Sequence, residues 1–323
     1  MLIRSRRLRA TAAIRDLVAE TDLLPRHLIQ GHFVQPGEGS TEISSLPGIS
    51  RNGIQATLRQ VEADLKLGIR TVLLFGVPAA DDKSATASAA HDADGLVPRA
   101  VKALKQAFGQ DLVVMTDVCL CAYTDTGHCG LNQGAEVVND ASVAALARMA
   151  VAHAQAGADM VAPSDMMDGR IRAMREALEL AGLPNTGILS YAIKHAGAYY
   201  GPFREAADSS PKFGDRRSYQ MDPRNAREGL RDGLLDLEEG ADALMVKPAM
   251  PNLDLIWRLR EQTLCPIAAY HVSSEYSTVK AAARLGWVDE ANLFREHLLA
   301  IRRAGADWIV TYVAREALQK HWI

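Results

Sequence analysis

Three of the four cysteines fall within eleven residues, in the run Asp117-Val118-Cys119-Leu120-Cys121 followed by Gly127-His128-Cys129-Gly130. Thiolates are zinc ligands, and three of them leave one tetrahedral position open, the arrangement of a catalytic metal site and not of a closed structural one. The spacing C-x-C-x7-C also differs from the paired C-x2-C of zinc ribbons. The plainer alternative is three reduced thiols packed in a loop or core, where free cysteine is often found. Two lysines offer a second chemistry. Lys247 ends the apolar run Leu244-Met245-Val246, and Lys194 follows another such run. An apolar strand that delivers an amine into a confined mouth, beside a second cation, favours the neutral form that attacks ketones. Taken singly, a lysine after a strand is more often a solvated loop residue.

These groups need a scaffold, and the pattern of apolar runs predicts one. Eight short runs, at 27–34, 71–75, 112–116, 160–162, 187–190, 243–246, 267–270 and 308–311, alternate with helix-like stretches such as 52–67, 141–156, 170–180 and 224–239. Strands apolar on both faces suit a parallel sheet covered by helices. Eight such units favour an α/β fold of the (β/α)8 TIM-barrel type over a doubly wound sheet. A junction recurs as Ala156-Gly157-Ala158-Asp159, Glu239-Gly240-Ala241-Asp242 and Ala304-Gly305-Ala306-Asp307, with glycine as the helix stop. No linker divides the chain, so residues 27–323 are read as one barrel domain. Residues 1–26 form a basic, partly helical arm whose Leu8, Ile14, Leu17 and Val18 would gain from docking on another surface. Residues 201–223 form a long loop, read as an active-site lid.

In a barrel the functional groups sit at the C-terminal ends of the strands. Asp117 and the cysteines follow the third strand, Ser164, Asp165 and Asp168 the fourth, Lys194 the fifth and Lys247 the sixth; Ser273 and Tyr312 follow the seventh and eighth. Composition removes other classes. The net charge of -3 lacks the basic excess that nucleic acid requires, and no apolar run reaches the ~20 residues of a membrane span. The start has no apolar signal region, and clustered cysteines without one read as cytoplasmic thiols.

Several long segments, in order, resemble the porphobilinogen synthase (5-aminolaevulinate dehydratase) family. They are residues 117–130, VAPSDMMDGR at 161–170, YGPFREA at 200–206, FGDRRSYQMDP at 213–223 and MVKPAMP at 245–251. The resemblance covers nearly the whole chain and implies condensation of two 5-aminolaevulinate molecules to porphobilinogen, with loss of two waters, on the route to haem. It implies Schiff bases at Lys247 and Lys194, and carboxylate binding of the first substrate by Ser273 and Tyr312. Arg204, Arg216 and Gln220 would hold the second substrate, whose pocket Asp117 and Ser164 would line. It further implies zinc on Cys119, Cys121 and Cys129, a homo-octamer in which the arm wraps a neighbour, and an allosteric magnesium near Asp232.

Departures from the family pattern are Ala122 for an acidic residue, His195 for an aromatic, His271 for glutamine and Ser274 for glycine. Gln30-Gly31 lacks an aromatic-proline pair, and Asp232 is shorter than the glutamate of many relatives. None removes an expected lysine, thiolate or carboxylate-binding group. Plainer roles exist for several residues: Arg204 and Arg216 as surface partners of Glu205 and Asp215, Asp165 and Asp168 as caps of the helix starting near Arg170, and Ser164 and Ser273 as caps. A different Schiff-base lyase would leave the cysteines and second lysine unused. A non-catalytic zinc protein would have little need for two lysines and two arginines.

Overall fold

The computed structural model describes residues 2–323. Eight parallel strands close into a barrel: β1 (Leu28–Val34), β2 (Thr71–Gly76), β3 (Val113–Val118), β4 (Met160–Pro163), β5 (Gly187–Lys194), β6 (Ala243–Lys247), β7 (Ile267–Tyr270) and β8 (Trp308–Thr311). Closure is made where β8 pairs with β1, Leu28 opposite Ile309. The expected (β/α)8 architecture therefore holds. Helices cover it outside, among them α2 (Ile54–Lys66), α3 (Leu96–Phe108), α4 (Asn139–Gln155) and α5 (Arg170–Leu180). Later in the chain come α7 (Ala226–Glu238), α8 (Leu253–Gln262), α9 (Ser273–Arg284), α10 (Glu290–Arg303) and α11 (Ala314–Gln319). Two further short helices lie outside this ring: α1 (Ala12–Leu17) in the arm and α6 (Gly201–Ala206) in the lid.

The recurrent Gly-Ala-Asp junction does more than stop a helix. Gly157, Gly240 and Gly305 take φ of +103°, +103° and +112°, a conformation that disfavours any side chain. The aspartate after each then accepts an N–H at the start of the preceding strand, from its first or second residue: Asp159 from Val114 at 2.7 Å, Asp242 from Ile188 at 2.7 Å and Asp307 from Ile267 at 2.8 Å. A basic residue from a covering helix pairs with each carboxylate, Lys105 at 3.0 Å, Arg175 at 2.9 Å and Arg260 at 2.9 Å. Three equivalent turns thus hold the floor of the barrel and leave its opposite end free for chemistry.

Five strands run further than their apolar runs, β2 and β4 by a single residue and three others into polar groups. β3 extends to Val118 and takes in Asp117, while β5 and β6 end on Lys194 and Lys247 themselves. A charged residue reads as a loop signal, but here the polar ends of the strands face a closed mouth instead of water. The lid region 201–223 is likewise not all loop, since α6 opens it with proline in its first turn, where the missing N–H costs nothing.

Candidate active site

Lys194 and Lys247 are register partners on adjacent strands, so both side chains leave the sheet on the same face. Each is nearly sealed, at 4% and 3% exposure. Lys194 donates to the Ser164 carbonyl. The Lys247 ammonium position is ringed by aromatics, 4.3 Å from the Tyr270 centroid, 4.8 Å from Phe203, 5.1 Å from Tyr191 and 5.4 Å from Tyr200. Burial, and then the charge of Lys194, lower its pKa to about 7, against the pull of Asp117. Half the amine is therefore neutral near that pH, far more than for a solvated lysine. Asp117 is raised by burial, while a hydrogen bond from Ser164 and the two lysines oppose the rise.

The three cysteines present their sulfurs within 4.8 Å of one another, and all are buried; among the described residues no further His, Cys, Asp or Glu completes the group. Cys129 is drawn well below an ordinary thiol by hydrogen bonds from Cys119 and Cys121 and by the positive charges of Arg216 and Lys194. Three soft, thiolate-forming donors with no fourth protein ligand among the described residues fit zinc. His128 ties the cluster to the lid: its Nε2 donates to the Phe213 carbonyl at 3.0 Å, and the Tyr219 hydroxyl lies 3.0 Å from its Nδ1. At Gly127 the two segments approach so closely that a Cβ would collide with the Ser210 carbonyl.

The lid is shut. Arg51 donates to the Ala206 carbonyl at 2.8 Å, Ser44 to Glu205 at 2.6 Å and Lys83 to Asp208 at 2.5 Å. Phe203 N–H donates to Ser273 Oγ at 3.1 Å. Arg216, buried, donates to the carbonyls of Gly127 and Ser209 at 3.0 and 2.7 Å. Glu205 and Asp215 are engaged elsewhere, Asp215 with Arg217, so the surface pairing of Arg204 and Arg216 is not formed. Both arginines keep a buried Nε without partner, and the buried Gln220 amide has none at either atom. Three donors and one amide acceptor thus keep unmet hydrogen-bonding capacity. Tyr312 shares a hydrogen bond of 2.8 Å with Tyr270.

Other expectations are corrected. Neither Asp165 nor Asp168 caps α5, whose N-cap is Gly169; Asp165 instead accepts the Met167 N–H at 2.8 Å within its own loop. Ser273 is the first residue of α9 and not its cap. His271 is buried against Thr311 and His297, at 3.0 and 3.2 Å. Asp232, on α7, lines a cleft of about 760 Å³ that contains neither lysine but is shared with Tyr219 and Gln220 of the lid. Sequence reasoning missed the aromatic enclosure. Tyr191, Tyr200, Phe203 and Tyr270 come from three separate segments, and only Phe203 and Tyr200 lay in a motif already singled out.

The family model described as delta-aminolevulinic acid dehydratase matches residues 2–320. The delta-aminolevulinic acid dehydratase of Synechocystis sp. is 50% identical over 320 residues, covering 98% of this chain and 97% of its own. That of Methanothermobacter thermautotrophicus is 50% identical, covering 98% of this chain and 96% of its own. Among solved structures, delta-aminolevulinic acid dehydratase (porphobilinogen synthase) from Toxoplasma gondii, in complex with its reaction product porphobilinogen, superposes with a TM-score of 0.97 at 44% identity. It covers 99% of this chain and 92% of its own.

Proposed function

The chain belongs to the delta-aminolevulinic acid dehydratase family, and from that premise we propose that Lys247 and Lys194 carry its reaction as Schiff bases. The enzyme is a lyase that condenses two 5-aminolaevulinate molecules to porphobilinogen with loss of two waters. The observation that carries the two-lysine reading is the register pairing of Lys194 with Lys247 in one sealed, aromatic-lined mouth.

Neutral Lys247 attacks the ketone of the first substrate, and the ketone oxygen leaves as water to give an imine. Ser273 and Tyr312 hold that substrate's carboxylate. Lys194 forms the matching imine with the second substrate, releasing the second water, while Arg204, Arg216 and Gln220 hold its carboxylate. Asp117 and Ser164 line this second pocket. Both former ketone carbons become ring carbons, one bonding a carbon and the other a nitrogen of the partner substrate, and each new bond displaces its lysine. A zinc ion on Cys119, Cys121 and Cys129 would supply a Lewis acid beside the second pocket. The reduced cysteine cluster accords with a cytoplasmic setting, and no helix is long and apolar enough to cross a membrane.

Because only the neutral amine reacts, borohydride trapping at Lys247 should rise about tenfold per pH unit below pH 7 and level off above it. A flat rate between pH 5 and 8 would contradict the lowered lysine. Assembly gives a second expectation. In the arm, the turn Ser5–Arg9 and α1 bury no residue, and Leu2, Leu8 and Leu17 are exposed. We take residues 1–26 as an arm that wraps the barrel, 27–323, of a neighbour in a homo-octamer. Deleting the arm should lower both particle size and activity, and light scattering that shows an unchanged oligomer would reject this role.

The cleft at Asp232 has six carboxylates against three arginines, with Arg231 lying 3.4 Å from Asp232. Magnesium keeps much of its water shell, so such a cleft suits a hydrated ion held largely through water. Magnesium should raise activity in the parent enzyme and not in Asp232→Asn; stimulation that survives the substitution would move the ion elsewhere.

A further inference from the structure

Glu275 is 4% exposed in the first turn of α9, and none of its hydrogen bonds comes from a cationic side chain. One carboxylate oxygen accepts the Val272 N–H at 2.5 Å, a local bond that closes the start of the helix. The other accepts the Met250 N–H at 2.6 Å. Met250 lies three residues beyond Lys247, in the segment that leaves β6, so this second bond reaches across to a different strand end. Two residues before Glu275 stands Ser273, on which the lid docks through Phe203. A helix start alone would be served by an exposed serine or aspartate. Burial pushes this carboxyl up to about 7, opposed by its backbone donors and by Lys247, so the position carries a cost that capping does not explain.

We propose that Glu275 is a positioning residue that locks the Lys247 segment to the Ser273 segment, fixing the span between the imine-forming amine and the carboxylate-binding hydroxyl to suit a 4-oxo acid. The proposal rests on the reading of Lys247 and Ser273 given above. It makes Glu275 a determinant of chain-length selectivity without touching substrate. Loss of its charge alone would alter the protonation of Lys247 equally for all ketones. Loss of the span would alter the preference among them.

The test uses 4-oxopentanoate and 5-oxohexanoate, which carry the ketone and the carboxylate but no amine, and so can form an imine at Lys247 and go no further. Borohydride trapping of the full-length enzyme at pH 8, read by peptide mass spectrometry, gives a rate for each acid. The parent should favour the 4-oxo acid by about tenfold or more, the scale of one methylene in a fitted site. In Glu275→Gln, whose amide nitrogen cannot accept a backbone N–H, and in Glu275→Asp, too short to reach both segments, the ratio should fall toward one. An unchanged ratio in either folded variant overturns the proposal, because a residue that merely stabilises the fold changes yield and melting, not preference. Should both variants fail to fold, amide exchange in the parent decides. Met250 and Val272 should be protected together, and fast exchange at Met250 overturns the linkage. If the parent forms no adduct at Lys247, the lysine reading itself has failed and this proposal falls with it.

Discussion

Lys247→Met should lower porphobilinogen formation by on the order of 10⁴-fold, because it removes the nucleophile and not merely a contact. Methionine has nearly the length of lysine and no charge. The amine it replaces is enclosed by Tyr270, Phe203, Tyr191 and Tyr200, where an ammonium is costly to desolvate. The variant should therefore melt no lower than the parent, and loss of activity cannot then be attributed to unfolding. Lys194→Ala should also abolish condensation, yet still allow an imine at Lys247, since the first substrate needs only the first lysine. The paired measurement is steady-state product formation with thermal melting. Normal turnover in Lys247→Met would remove the assignment; normal turnover in Lys194→Ala would reduce the mechanism to one Schiff base.

Removal of metal should silence turnover by on the order of 10²–10³-fold, the few kcal/mol a Lewis acid contributes, while leaving the fold in place. The cysteines leave β3 in a barrel that has its own large core, unlike a small zinc finger whose folding is its metal binding. Cys119, Cys121 and Cys129 are buried at 3%, 6% and 0% exposure, so chelation should be slow unless the lid opens. The thiols must lose protons to bind zinc, and occupancy should weaken as pH falls. Without metal, a thiolate at Cys129 becomes oxidisable, and recovery should require zinc together with reductant. Metal content, turnover and circular dichroism melting on matched samples check this. Full activity after verified metal loss, or in all three cysteine-to-alanine variants, would end the catalytic role of zinc.

The barrel was legible because its signal is repetitive. Each strand is a short apolar run between helices, and the runs at 267–270 and 308–311 coincide with β7 and β8. The ends of β3, β5 and β6 were not, because hydropathy reads Asp117, Lys194 and Lys247 as loop when they are strand residues facing a closed mouth. Cysteine spacing brought the thiols into view, strand-end position the two lysines, and the motif segments the lid arginines. The groups that set their properties escaped, since the convergence of Tyr191, Phe203 and Tyr270 on Lys247 depends on three-dimensional closure and leaves no local spacing. Glu275 shows the same limit: no sequence spacing links it to Lys247, and its bond from Met250 appears only in the folded chain.

The account stands most directly on where substrate becomes covalently attached. Enzyme turning over 5-aminolaevulinate, quenched with borohydride and mapped by peptide mass spectrometry, should carry its principal adduct on Lys247 and a second on Lys194. Adducts confined to other lysines, or none at all while porphobilinogen is still being formed, would contradict it.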